Sequence, residues 1–73
     1  MLVITKTTAY GVTAEDPTTE VRVAEDKKKA NEILAEYVAE AEEHGFDVES
    51  TKKTARWVDP DEDSVTVVEI HNV

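Results

Sequence analysis

The sequence has no cysteine, and it has only two glycines among its 73 residues. Without thiols there is no disulfide framework, no cysteine nucleophile and no thiolate metal site. Two isolated glycines also exclude a glycine-rich phosphate-binding loop. The chain therefore carries none of the common sequence signatures of redox, nucleophilic or nucleotide-dependent chemistry.

Long apolar runs are missing as well. No stretch approaches the ~20 residues that a membrane-spanning helix needs, and the first residues lack the basic start and long apolar segment of a signal peptide. We therefore expect a soluble cytoplasmic protein, in the host cytoplasm if the chain is viral. A length of 73 residues predicts one small α+β domain, 1–73.

Positive charge is scarce. Eight lysines and arginines stand against 17 aspartates and glutamates, which leaves a net charge of -9. The phosphates of nucleic acids and the surfaces of anionic membranes would be repelled, so we expect neither as a direct partner. The acid excess favours a basic protein surface as the partner, although a merely well-solvated surface would have the same composition.

Residues 26–44 have the apolar spacing of an amphipathic helix. Asp26 is the expected N-cap, and Gly45 fits the left-handed position just after the last turn. The apolar stripe expected to face the core consists of Ala30, Ile33, Leu34, Tyr37, Val38 and Ala41.

The charges at the two ends of this helix oppose the helix dipole, which favours anions at the N-terminus and cations at the C-terminus. Each misplaced charge costs roughly a few tenths of a kcal/mol. We infer that something other than helix stability selected these positions. They are Lys27, Lys28 and Lys29 in the first turn and Glu40, Glu42 and Glu43 in the last.

Alternating β-branched residues predict four strands, at 2–10, 19–24, 46–59 and 65–73. Residues 11–18 contain Gly, Asp and Pro, and residues 59–64 contain Asp and Pro, so both segments predict turns. The phase of the third strand slips, and a bulge near 52–54 would reconcile it. The predicted fold is α+β, with a four-stranded antiparallel sheet in ββαββ order and one helix packed on one face.

One helix covers only one face of such a sheet. We expect that face to carry Leu2, Ile4, Val21, Val23, Val68 and Ile70. The other would carry Val3, Thr5, Thr7, Arg22, Val65, Val67, Glu69 and His71. This semi-apolar set could be solvated, or it could support a homodimer through the open sheet face or a sheet edge.

Candidate chemistry is weak. Asp59, Asp61 and Asp63 alternate like the opening of a calcium loop, but the glycine and final acid of that loop are missing. His44 fits a helix C-cap, and His71 lies beside Glu69 without a nucleophile or a pocket. The sequence therefore predicts no catalytic residues, no cofactor and no metal ligands.

The most distinctive surface feature is a row of carboxylates on the helix. Glu32, Glu36, Glu40 and Glu43 follow one another at four- and three-residue spacing, where like charges repel. Such a row can imitate a phosphate backbone, although a solvated helix face is the simpler interpretation. Trp57 is either a core residue or an interface contact. The candidate partner-binding residues are Glu32, Glu36, Glu40, Glu43, Trp57, Asp59, Asp61 and Asp63.

In size, element order and charge, the chain resembles small phage-encoded inhibitors and binding domains of the protein G type. No motif assigns it to a family. The resemblance implies a non-catalytic protein-binding module, an inhibitor that docks on a basic protein surface. The alternative is a computationally designed or orphan scaffold without a natural partner.

Overall fold

The computed structural model describes residues 1–11 and 17–72, which form one helix and five strands. The elements are β1 (Leu2–Tyr10), β2 (Thr18–Ala24), α1 (Lys27–Glu43), β3 (Glu49–Ser50), β4 (Thr54–Asp59) and β5 (Ser64–Asn72). The predicted α+β class is confirmed, but the sheet has five strands instead of four. The predicted turn at 11–18 lies largely outside the described residues.

The sheet is antiparallel throughout, in the order β2-β1-β5-β4-β3. β1 and β5 form the centre and are paired from Leu2–Asn72 to Tyr10–Ser64. The two edges differ in length, because β2 has seven residues and β3 has two. β1 and β5 thus lie side by side in the interior of the sheet.

The helix begins and ends where the capping residues predict. The carboxylate of Asp26 accepts a hydrogen bond from the backbone N–H of Lys29 at 2.8 Å, and His44 is the C-cap. Gly45 has a φ of 86°, a left-handed conformation that glycine adopts without a Cβ clash. Within residues 1–11 and 17–72, no helix has the length and apolar character that crossing a membrane requires.

The segment 46–59 does not form one bulged strand, as the sequence predicted. It forms β3 and β4, which pair with each other across a turn at 51–53. The hydroxyl of Thr51 accepts hydrogen bonds from the backbone N–H groups of Lys53 and Thr54 at 3.3 and 3.1 Å. This local bonding favours a turn without glycine or proline, and the turn explains the apparent phase slip.

The structure also corrects the prediction of which β2 side chains point towards the helix. Leu2 lies opposite Ala24 and Ile4 opposite Arg22, and residues directly opposite each other share a face. Val21 and Val23 therefore point away from the helix and are 59% and 57% exposed. Arg22 lies on the helix side instead of the open side.

The core lies between the helix and the central strands. Ile4 and Val68 are fully buried there. The predicted helix stripe is confirmed, with five of its six members buried and Val38 packed against them. On β2 only Ala24 is buried, so the helix leaves most of this edge strand uncovered.

Candidate docking surface: an acidic end and an aromatic cleft

The topology collects acidic residues at one end of the molecule. The last turn of α1 and the turn between β4 and β5 lie at the same end, and Glu40, Asp59 and Glu62 line one cleft there. Asp47 and Asp61 line the adjoining groove. We call this region the acidic end and define it as Glu40, Glu42, Glu43, Asp47, Asp59, Asp61, Glu62 and Asp63. It holds eight of the 17 acidic residues of the chain.

Lysines collect at the opposite end. Lys27 of α1 and Lys52 and Lys53 of the β3–β4 turn border one groove, together with Leu2 and Ile70. The lysine end, defined as Lys27, Lys28, Lys29, Lys52 and Lys53, contains five of the eight basic residues. The first turn of the helix has no acid and the last has no base, so the helix dipole adds to the separation of charge instead of offsetting it.

All four aromatic side chains of the protein border one cleft at the acidic end. Tyr10 lies at the end of β1, Tyr37 on α1, Phe46 just after the helix and Trp57 on β4. The cleft has a volume of about 190 Å³. Its floor includes Ser64 and Thr66, which are buried, and Thr66 shares a 3.1 Å hydrogen bond with the hydroxyl of Thr8.

The cleft already contains one contact between a cation and an aromatic ring. The ammonium group of Lys6 lies 5.2 Å from the centre of the Tyr37 ring, within the range of a cation–π interaction. The same ammonium group is 4.0 Å from the carboxylate of Glu20. Burial, together with the charge of Glu20, raises the pKa of Tyr37 above its ordinary value.

In the β4–β5 turn, backbone N–H groups hold the carboxylate of Asp59 in place. Asp59 accepts hydrogen bonds from the backbone N–H groups of Asp61 and Glu62 at 3.0 and 3.4 Å. The N–H of Gly11 donates to the carbonyl of Asp63 at 2.9 Å. A Cβ at position 11 would lie 3.1 Å from a carboxylate oxygen of Asp63, so glycine permits this close approach.

The predicted carboxylate row is divided into two halves. Glu32 lies 3.8 Å from Lys29, and Glu36 lies 3.4 Å from Arg22. Glu40 lines the aromatic cleft, and neither it nor Glu43 takes part in an ion pair between described residues. The second half of the row is therefore continuous with the β4–β5 turn, whereas the first half has cations of its own.

Trp57 belongs to the core, because it is only 7% exposed. A partner could contact only the small part of the Trp57 side chain that borders the cleft. Sequence reasoning did not name Tyr10, Phe46 or Glu62 as candidate site residues, and it placed Tyr37 only in the core-facing stripe of the helix. The only available signal was the small number of aromatic residues, since their convergence depends on the pairing of β1 with β5.

The histidines lie apart from each other. His44 caps the helix, with its ring 6.0 Å from that of Phe46. On the open face, the Nε2 of His71 lies 3.1 Å from the hydroxyl oxygen of Thr5. Among the described residues, no group of three or more His, Asp or Glu side chains could hold a metal ion.

Comparisons of the chain with protein-family models, curated proteins and solved structures find no match.

Proposed function

We propose that this protein is a non-catalytic binding module that docks its acidic end onto a basic protein surface and so inhibits whatever uses that surface. The observation that carries the proposal is the cleft in which four aromatic side chains meet the carboxylates of Glu40, Asp59 and Glu62. Aromatic faces and carboxylates both attract cations, and together they suit the side chain of a lysine or arginine.

The size of the cleft supports a side chain as its occupant. Its volume of about 190 Å³ lies below the roughly 300–1,000 Å³ that is usual for small-molecule sites. A single basic side chain could enter while the surrounding carboxylates meet other cations of the partner. Lys6 over Tyr37 is an intramolecular example of the same contact.

The arrangement of charge supports the choice of end. Glu42, Glu43, Asp61 and Asp63 are exposed, and they belong to the same helix turn or β4–β5 turn as the carboxylates that line the cleft. A field made by many carboxylates speeds association with a basic surface and is screened by salt. The lysine end points away, so a partner that approaches the acidic end is not opposed by these cations.

The experiment is a capture from a host lysate at low and high salt, with bound proteins identified by mass spectrometry. It compares the wild type with Glu40→Lys/Glu43→Lys and with the matched control Lys27→Glu/Lys28→Glu, which changes the opposite end of the same helix. We expect basic proteins to bind the wild type and the control at low salt and to be lost at high salt.

The acidic-end variant should lose those proteins while circular dichroism shows an intact fold. Equal capture by all three proteins would contradict the proposal. If the wild type captures nothing at either salt concentration, the alternative applies, and the chain is a designed or orphan scaffold without a natural partner.

A further inference from the structure

The outer edge of β2 is an open strand edge. β2 pairs with β1 on one side, and no other described strand pairs with it. Six of its seven residues are exposed, over a length of roughly 23 Å. The opposite edge of the sheet is protected differently, because β3 is only two residues long and two lysines follow in the turn. Short edge strands and lysines discourage pairing with another chain, and β2 has neither protection.

The sequence of β2, TTEVRVA, is complementary to itself when it runs antiparallel. With Val21 opposite Val21 of a second copy, Glu20 lies opposite Arg22 and Thr19 opposite Val23. All seven residues are then paired, and opposite charges face each other twice. Cross-strand pairs of opposite charge and pairs of β-branched residues both stabilise sheets.

We propose that β2 pairs with β2 of a second copy, antiparallel and centred on Val21, to form a homodimer with a continuous ten-stranded sheet. The two-fold axis is perpendicular to the sheet, so both helices lie on the same side. This surface is distinct from the acidic end, and the dimer does not depend on the proposed function.

Other registers are less favourable. A shift of two residues in one direction places Glu20 opposite Glu20, and in the other it places Arg22 opposite Arg22, so like charges face each other. A shift of one residue would put the helix-facing side chains of one copy on the same side of the sheet as the open-face side chains of the other. It also leaves both charges opposite uncharged residues.

Two copies with a net negative charge can associate at this edge because positive and negative side chains are paired around β2. Lys6 and Arg22 lie beside Glu20 and Glu36, with separations of 4.0 and 3.4 Å, so this region of each copy is electrically balanced. Among residues 1–11 and 17–72, most of the carboxylates that take no part in an ion pair belong to the acidic end. Glu20 and Arg22 are exposed, with 64% and 44% of their side-chain surfaces open to solvent, and both can take a partner across the dimer boundary.

The first experiment is a charge swap followed by analytical ultracentrifugation at low salt and micromolar concentration. We expect a dimer for the wild type. Glu20→Arg and Arg22→Glu each turn both charge pairs repulsive, so each variant alone should have a dimer dissociation constant raised by about tenfold or more. An equimolar mixture of the two variants should form heterodimers, and the double variant Glu20→Arg/Arg22→Glu should regain the homodimer.

A monomeric wild type would overturn the proposal, as would single variants that dimerise unchanged or a mixture that fails to associate. Circular dichroism verifies that each variant folds. The mixture is the sharpest test, because restoration by the second variant shows that both are folded and that the two positions face each other.

Cysteine cross-linking tests the register independently, because the protein has no cysteine of its own. Val21→Cys should form a disulfide-linked dimer on mild oxidation, since the two Cβ atoms would be about 4.5–5.5 Å apart. Val23→Cys should not, because its two copies would be roughly 13 Å apart. Efficient cross-linking of Val67→Cys, in the middle of the open face, would instead indicate a face-to-face dimer and overturn the proposal.

Discussion

The two ends of the molecule are built around the same helix and differ in almost every chemical respect. The acidic end joins carboxylates of α1 and the β4–β5 turn around an aromatic cleft. The lysine end contains five lysines, three of which line a groove bordered by the aliphatic residues Leu2, Ala30 and Ile70. The helix has 17 residues and is therefore about 26 Å long, and its dipole has the same direction as the charge separation. The difference shows that charge placement here strengthens an electric field at a cost to helix stability.

The largest expected effect comes from removing the aromatic core of the acidic end. Trp57→Ala should lower the free energy of unfolding by about 3–5 kcal/mol, because it leaves a cavity beneath the cleft. The matched change at the lysine end, Leu2→Ala, removes a smaller side chain at the start of β1 and should cost less. Urea denaturation of both variants measures the difference. An equal or smaller loss for Trp57→Ala would mean that the ring contributes little to packing.

The helix caps give the next comparison. Asp26→Ala removes the carboxylate that accepts the N–H of Lys29, and it should cost about 1 kcal/mol of stability. At the acidic end, Gly45→Ala forces a side chain into a left-handed conformation and should cost a similar amount. Thermal melts of the two variants against the wild type check this. A change within error for Asp26→Ala would show that Lys27, Lys28 and Lys29 already disrupt that cap.

The smallest expected effect is a gain in the free energy of unfolding, whereas the preceding variants lower it. Glu40→Lys/Glu43→Lys and Lys27→Glu/Lys28→Glu each place charge where the helix dipole favours it. Each double variant should therefore stabilise the protein by about 0.3–1 kcal/mol at low ionic strength, because each misplaced charge costs roughly a few tenths of a kcal/mol. Denaturation curves at low and high salt measure the gain, which should shrink as salt is added. A destabilised double variant at either end would show that local contacts outweigh the dipole there.

The helix and the central strands could be predicted because each has one buried side. The apolar spacing of α1 and the capping residues Asp26 and Gly45 located the helix to within a residue at each end. β1 and β5 alternate around fully buried residues such as Ile4 and Val68. In these segments local preference and tertiary packing agree.

The errors fall where tertiary context decides. β2 is exposed on both sides except at Ala24, so its alternation marked two faces without showing which one is buried. The turn at 51–53 depends on hydroxyl hydrogen bonds of Thr51, and it lacks the glycine or proline that punctuates most turns. The cleft was beyond prediction, because Tyr10 and the β4–β5 turn meet only through the long-range pairing of β1 with β5.

The most direct test of the docking surface is a ¹⁵N NMR titration of the protein with a short oligolysine peptide at low salt. We predict that shift changes concentrate at Glu40, Phe46, Glu62 and the indole N–H of Trp57, and that the lysine end stays unchanged. The aromatic cleft should make these changes larger than those at acids outside it, such as Glu25 and Glu69. Changes spread evenly over all exposed acids would contradict the account and reduce the acidic end to a solvated surface.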